Sequence, residues 1–527
     1  MKKSMLAMSV AAAIGGLGFA GSALAMQAVD TGATAAVLEL NPNGIGHQLV
    51  VPYFSTQSGN ATLLNIVNTD TTNGKLVKVR FRGAGNSDDL YDFQVLMSPG
   101  DVWTAAVTQD AATGVSTLST ADASCTIGLG NGKFSTLRTD PTKADPANET
   151  REGYVEFINM ADVPPASVGY TPPVLTGATK SLYANIKHVD GVAPCNLTDL
   201  GVYLGTDPTG YADAAARGMA RPTTGLTGDW ILLNQNSTAA WSGAATALEA
   251  RPLAGVAAAG NVVFWPQKFT DVNAALVPVV TADPILRMGS AGVVAQWYDL
   301  PDLSTPYVSG ATVAEDQADQ TTAQLAVATV KNQFETSVGI AAVTDWLFSQ
   351  PTRRYHVAVD YTGAGTSGAA DIVYRNAASF VVNPVSGGTA YYNTTNTGLY
   401  SRQVCLDTTF GPGRNALFDR EETTPGVTDS PFVPSPNLPE QAEILLLCGE
   451  ANVISINADG VSAPSALAAS VARGDISTDY TNGWASWDLN NGSVGVPVLG
   501  AAFMRAANGA VNYGFAFPHK TTRPGAI

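Results

Sequence analysis

The tightest constraint on this chain is a strict alternation. Leu76 to Arg82 (LVKVRFR) puts Leu76, Lys78, Arg80 and Arg82 on one side and Val77, Val79 and Phe81 on the other. A period of two gives distinct faces only in an extended strand. Similar runs surround it between Gly46 and Val107: His47 to Phe54, Ala61 to Asn68, Leu90 to Met97 and Val102 to Val107. Asn73-Gly74 and Pro99-Gly100 separate runs. Glycine tolerates positive φ and proline presets its own, so both dipeptides suit tight turns. The expectation is half-buried antiparallel strands, hence a mainly β chain of antiparallel β-sandwich domains with a few short helices.

A chain of 527 residues exceeds what one hydrophobic core organises. Hydrophobic residues (45%) suffice for more than one core, whereas charged residues reach 14%, well below the usual ~25%. The net charge of −16 reflects scarce Lys and Arg, 28 against 44 acids. Phosphate backbones need a basic footprint, so nucleic acid is not an expected partner. An acidic surface suits Ca²⁺ and keeps a protein soluble.

The first residues have the form of a secretory signal. Lys2 and Lys3 precede an apolar stretch, Met5 to Ala20, and Ala23-Leu24-Ala25 is a small-x-small cleavage site. The signal is read as 1–25. No cysteine follows the site, which argues against a lipoprotein, and no later run of ~20 apolar residues predicts a transmembrane helix. The expected location is extracellular or the outer cell surface, with the periplasm as the other compartment.

Cys125, Cys195, Cys405 and Cys448 make an even count, which in an exported chain points to two disulfides. Three pairings exist; the sequence-local one, Cys125–Cys195 with Cys405–Cys448, is the expected one. Closing loops of this length stabilises by roughly 4 kcal/mol each in the chain-entropy model. A zinc site is the rival, but there is no C-x-x-C and the histidines are scattered. A boundary near Ser309 keeps each bridge in one half, giving β-rich regions 26–309 and 310–527, the second with one amphipathic helix.

Leu182 to Val189 reads as a strand and Tyr211 to Gly218 as one or two helical turns. Thr321 to Phe334 reads as the amphipathic helix, with Thr321 and Gln324 as a capping box. Ser462 to Arg473, between Pro464 and Gly474, reads as a short helix. The tail from His519 is expected to fray. Ala295 to Tyr307, dense in aromatics and prolines, fits packing at a seam better than a sugar platform. Arg353-Arg354 fits a solvated pair or partners for carboxylates better than an anion site.

No catalytic constellation emerges. Gly128, Gly130 and Gly132 before Lys133 mimic a phosphate loop, but the spacing fails and Phe134 follows, so they read as turns. There is no G-x-S-x-G and no H-E-x-x-H. His47, His188, His356 and His519 read as structural. Asp88-Asp89 and Glu421-Glu422 would serve a glycosidase only if carboxylates faced each other ~5–9.5 Å apart across a cleft; adjacent loop acids are usually solvated. Oxygen-rich loops offer weak Ca²⁺ candidates, Asp70 with Asn73 (beside Asn68 and Thr69) and Asp475 with Asp479 (beside Asn482). Neither follows the EF-hand pattern, and Asx residues equally build turns. Apart from Ca²⁺, no cofactor is expected.

The segments GHQLVVPYFSTQSGNATLLNIVNTD, KLVKVRFRG, DFQVLMSPGDVWTAAV and SCT, with the later DLPDLSTPY, AVTDWLFSQPTRRYHV and NYGFAFPHK, resemble a family of exported proteobacterial cell-surface or surface-layer-like proteins. The resemblance covers most of the mature chain and assigns no residue a chemical role. It implies a secreted structural protein, not an enzyme, in a surface layer or extracellular matrix; the chain's own carboxylates would let divalent cations bridge it to further copies or to envelope components such as lipopolysaccharide. A carbohydrate-binding adhesin is the alternative, which an aromatic row exposed on one sheet face would favour. An extracellular hydrolase, needing two facing carboxylates in a cleft, comes after it.

Overall fold

Strands form where the alternation places them. The computed structural model describes residues 26–28, 34–137, 139–206, 208–252, 259–260, 262–264, 287–289, 292–294, 313–361, 371–376, 379–383, 388–410, 416–419, 443–458, 465–478, 480–489, 494–509 and 511–524. The expected signal, the 295–307 segment, the boundary at 309, Glu421-Glu422 and Asp479 lie outside them. Gln48–Ser55, Asn60–Asn68, Gly74–Gly83, Asp89–Met97 and Val102–Gln109 are strands within two residues of the expected runs. Gly100, at φ 70°, supplies the left-handed corner between the last two.

Among the described residues these strands divide between two antiparallel sheets. The larger has the order Val37–Leu40, Thr246–Arg251, Gln48–Ser55, Glu152–Val163, Gly74–Gly83, Asp89–Met97, Cys125–Ile127. The smaller runs Ala240–Ala244, Leu226–Asn234, Asn60–Asn68, Val102–Gln109, Ser116–Ser119. Val77, Val79, Phe81, Phe93 and Phe157 of the first and Leu64, Ile66, Trp103 and Trp230 of the second belong to one hydrophobic cluster. This is the packing of a β-sandwich.

A third sheet, ordered Arg473–Thr478, Ala451–Ala458, Val343–Ser349, Ala501–Asn508, Val511–Pro518, contributes to two cores. Leu347, Val453 and Phe503 join the cluster of the first sandwich. Trp346, Ile454 and Ala502 belong to a second cluster with Val330, Phe334 and Trp487, which come from the sheet Ala416–Asp419, Asn482–Asp488, Thr329–Glu335, Lys520–Thr522. Phe503 lies 5.9 Å from Trp230, 6.4 Å from Trp241 and 6.5 Å from Tyr53, ring centre to ring centre. One hydrophobic core therefore runs across the position of the expected boundary. Gly514 fits this contact, because a Cβ there would lie 2.2 Å from the Ala240 carbonyl oxygen.

Both disulfides follow the sequence-local pairing. Cys125–Cys195 ties the edge of the large sheet to a layer of short helices, and Cys405–Cys448 links directly opposed residues of neighbouring strands. The helices pack Leu182, Ile186, Leu200 and Tyr203 onto Leu76, Leu96, Ile158 and Met160.

Five expectations need correction. The Gly74–Gly83 strand is buried at every position rather than half-buried. Leu182–Ile186 is a helix, because the Ser181 hydroxyl accepts from Ala184 N–H and caps it. The helix expected at Thr321 to Phe334 instead spans Val313–Leu325, and Thr329–Glu335 is a strand that buries Val330 and Phe334 on one face; an i, i+4 pair also satisfies a period of two. Ser465 to Ala472 is not helical, and Arg473–Thr478 pairs in parallel with Ala451–Ala458. The tail does not fray. His519 packs against Trp346 and Phe348, donates from Nε2 to the Leu347 carbonyl and accepts at Nδ1 from Asn332, while burial holds its pKa down at about 4. Lys520–Thr522 then pairs with Thr329–Glu335.

Phe503→Ala should lower unfolding free energy by about 3–5 kcal/mol and shift near-UV and far-UV melting curves together. Separate transitions, only one of them shifted, would show that the halves have independent cores.

Candidate functional site

The seam between the halves gathers several buried polar groups. Glu152 is enclosed at the start of the long central strand. Its Oε1 accepts from Ser470 N–H at 2.7 Å, Gln57 Nε2 at 2.8 Å and Val471 N–H at 3.2 Å, and its Oε2 accepts from the Tyr53 hydroxyl at 3.0 Å. Burial pushes this carboxyl up and these donors oppose it. Asp345 does the same from the other side. It accepts from Leu467 N–H at 2.8 Å, Ser455 Oγ at 2.7 Å and Ser465 Oγ, and burial raises its pKa against those bonds. The 465–472 segment is thus held from both ends by carboxylates. That is the physical reason it is not helical: its amides donate to side chains, and Ala468 sits at φ 55°.

A second junction forms around the 84–89 loop. Arg354 meets Asp88 at 3.0 Å, and Tyr361 donates to Asp88 at 2.6 Å. Arg353 lies 3.5 Å from Glu450. Burial pushes Glu450 up to about 7, against the opposing pull of Arg353, Arg354 and Arg82. Arg402 meets Asp140 at 2.9 Å. Burial also pushes Glu149 up to about 7; Lys143, 3.8 Å away, opposes the rise, and Asp88, Asp140 and Glu152 add to it. The expected solvated pair Asp88-Asp89 is therefore buried, and Arg353-Arg354 takes its carboxylate-partner reading.

The alternating strand carries a related ladder. Lys78, Arg80 and Arg82 are buried. Lys78 pairs with Asp92, while Arg80 and Arg82 lie 3.9 and 3.7 Å from Glu156. Acids of the two flanking strands thus meet bases of the middle one.

Beside the clamped segment a shallow groove of about 520 Å³ opens at the seam. Ser58, Asn236 and Ser237 line it from the first half, and Ala468, Arg473 and Arg505 from the second. Ser58 (φ 47°), Thr238 (φ 59°) and Ala468 (φ 55°), on three separate segments at or next to its walls, hold left-handed backbone. A second hollow, about 350 Å³, lies beside Cys125–Cys195. No sequence motif marked the groove.

Of the Ca²⁺ candidates, Asp70, Asn73 and Asp475 make hydrogen bonds or ion pairs within the fold. The Asp70 carboxylate accepts from Thr72 N–H, Asn73 N–H and Asn73 Nδ2, with Lys75 Nζ 3.8 Å away. This is a closed Asx turn. Asp475 binds Arg473 at 2.6 Å and Asn457 at 3.1 Å. Among the described residues no three His, Cys, Asp or Glu side chains gather in a metal-holding group. The histidines remain apart: His47 accepts from Ala250 N–H, His188 meets Ser98, and His356 lies between Thr322 and Thr389. Gly128, Gly130 and Gly132 all have positive φ, and Lys133 pairs with Asp110.

The chain matches no protein-family model, no curated protein and no solved structure.

Glu152→Ala strands several buried donors and should cost about 3 kcal/mol. Limited proteolysis should then cut near residue 470, whereas Glu152→Gln, which keeps one acceptor oxygen, should be cut less. Equal protection of all three proteins would dismiss the clamp.

Glu149 gives a pH signature. Its folded pKa of about 7 lies above the ordinary 4.5, so its contribution is full below pH ~4.5 and lost as pH rises through about 7. Relative to wild type, Glu149→Gln should gain on the order of 2 kcal/mol between pH 5 and pH 8, read from urea midpoints. Parallel pH profiles would show that the carboxyl stays ionised.

Proposed function

We propose that the chain is an exported, non-catalytic structural protein of the cell surface, part of a surface layer or extracellular matrix, which associates with further copies or with envelope components. The observation that carries this reading is where the burial-perturbed acids sit. Glu152, Asp345 and Glu450 are buried at the seam and bind side chains and backbone of the fold itself, linking the two halves. Two formed disulfides suit an oxidising compartment, and no helix among the described residues is long and apolar enough to cross a membrane. Cation bridging between copies would use exposed carboxylates other than Asp70 and Asp475, which are already engaged.

One observation favours the adhesin reading. Val511, Tyr513 and Phe515 alternate along the last strand of the third sheet and are 52%, 47% and 47% exposed. Their side chains stand ~6.8 Å apart on one face, with Phe517 parallel to Phe515 at 6.2 Å. Aromatic faces of this kind are suited to stacking against sugar rings. The hydrolase alternative gains no such support, because Asp88 is occupied by Arg354 and Tyr361.

Deleting the gene in its host and imaging the surface by electron microscopy separates the readings. Loss of a periodic layer or matrix, and release of the protein by EDTA, is the expected result. An unchanged surface with lost adhesion to glycan-coated supports, reproduced by the Tyr513→Ser/Phe515→Ser double variant, would replace the structural reading with the adhesin.

A further inference from the structure

We propose that the seam groove is a binding site for an acidic saccharide, with Arg505 holding the sugar's carboxylate. The chain is poor in bases, yet among the described residues this groove takes two guanidiniums and no carboxylate into its lining. Arg473 is partly committed, through Asp475 at the rim and the Ser455 hydroxyl at 3.1 Å. Asp345 lies beneath, with its oxygens occupied by Ser455, Ser465 and the Leu467 amide. Arg505 has no ion-pair partner among the described residues. It projects from the strand Ala501–Asn508, opposite Val343 and Gly514. A guanidinium in that position offers a planar fork that matches one carboxylate.

The remaining wall is neutral and polar. Asn236 donates from Nδ2 to the Ser58 carbonyl at 2.8 Å, and an amide oxygen of this kind accepts hydrogen bonds. Ser58 and Ser237 add hydroxyls that both donate and accept. Such a surface suits a ring of hydroxyl groups. Among the described residues no aromatic lines the groove, so a nucleobase finds no stacking partner there. One uncommitted positive charge beside a hydroxyl-matching wall describes a polyhydroxylated ligand with a single negative charge, a uronic acid residue.

The site is also preorganised. Three left-handed residues from separate segments shape it, and the Glu152 and Asp345 carboxylates fix the segment carrying Ala468. The volume, about 520 Å³, falls within the ~300–1,000 Å³ of small-ligand sites. The proposal extends the glycan-binding reading to a second site. It does not depend on the aromatic row, because Tyr513 and Phe515 point to the sheet face opposite Arg505 and Gly514.

The test is titration calorimetry of the mature, oxidised chain with trimers of glucuronate and of galacturonate, with a neutral glucose trimer and inorganic sulfate as comparisons. At least one uronate trimer should bind about tenfold or more tighter than either comparison. Arg505→Ala should weaken it by about tenfold, and Arg505→Lys should restore part of the loss. Asn236→Trp, at an exposed position, should block binding without altering the melting point, which covers the case of an unfolded Arg505→Ala. Tyr513→Ser/Phe515→Ser should leave this binding intact. Binding lost only in that double variant would leave the adhesin reading standing and overturn the groove. No uronate binding, equal binding of sulfate, or wild-type affinity in both groove variants would also overturn it.

Discussion

Two carboxylates removed from water hold this molecule together. Glu152 reaches across from the first sandwich and Asp345 rises from the third sheet, and both take backbone amides of the same eight-residue segment. An ionised or protonated carboxyl in such a place is tolerable only when its oxygens are satisfied. The segment supplies the donors, so its irregular path and the position of the two halves are set together. The groove beside it follows from the same geometry: fixing Ala468 fixes one wall against the turns carrying Ser58 and Asn236.

The buried ladder on the central strand is a different kind of device. Hydrophobic side chains would fill the space of Lys78, Arg80 and Arg82 at similar or lower free energy, since desolvating charges offsets much of their attraction. Charges discriminate between registers, however. A one-residue slip would turn Arg80 to the apolar side and set Val79 against Glu156. In a sheet of seven strands rich in interchangeable valines, that penalty selects one alignment.

Strand existence was legible because period two is a local signal. Gly46 to Val107 shows it, and the turn glycines there behave as their dipeptides require. The cysteine pairing was legible from chain proximity. Burial on both faces was not, since LVKVRFR is written like a surface strand, and partners such as Asp92 and Glu156 on neighbouring strands make its charges tolerable inside. The Thr321 to Phe334 reading failed because Val330 and Phe334 fit two periods, and Ser462 to Arg473 failed because partners hundreds of residues away outcompeted local helix propensity. The groove escaped altogether. Arg505 and Asn236 lie far apart in the chain, and neither belongs to a spaced motif.

One contact bears on the order of assembly. Gln57 meets Ser470 across 413 positions of sequence, and Phe503 enters a core otherwise built largely from the first 250 residues. A chain emerging amino end first cannot seal that core until nearly all of it has emerged. Until then the early strands lack part of their apolar cover, and Phe503 is among the last residues to complete it.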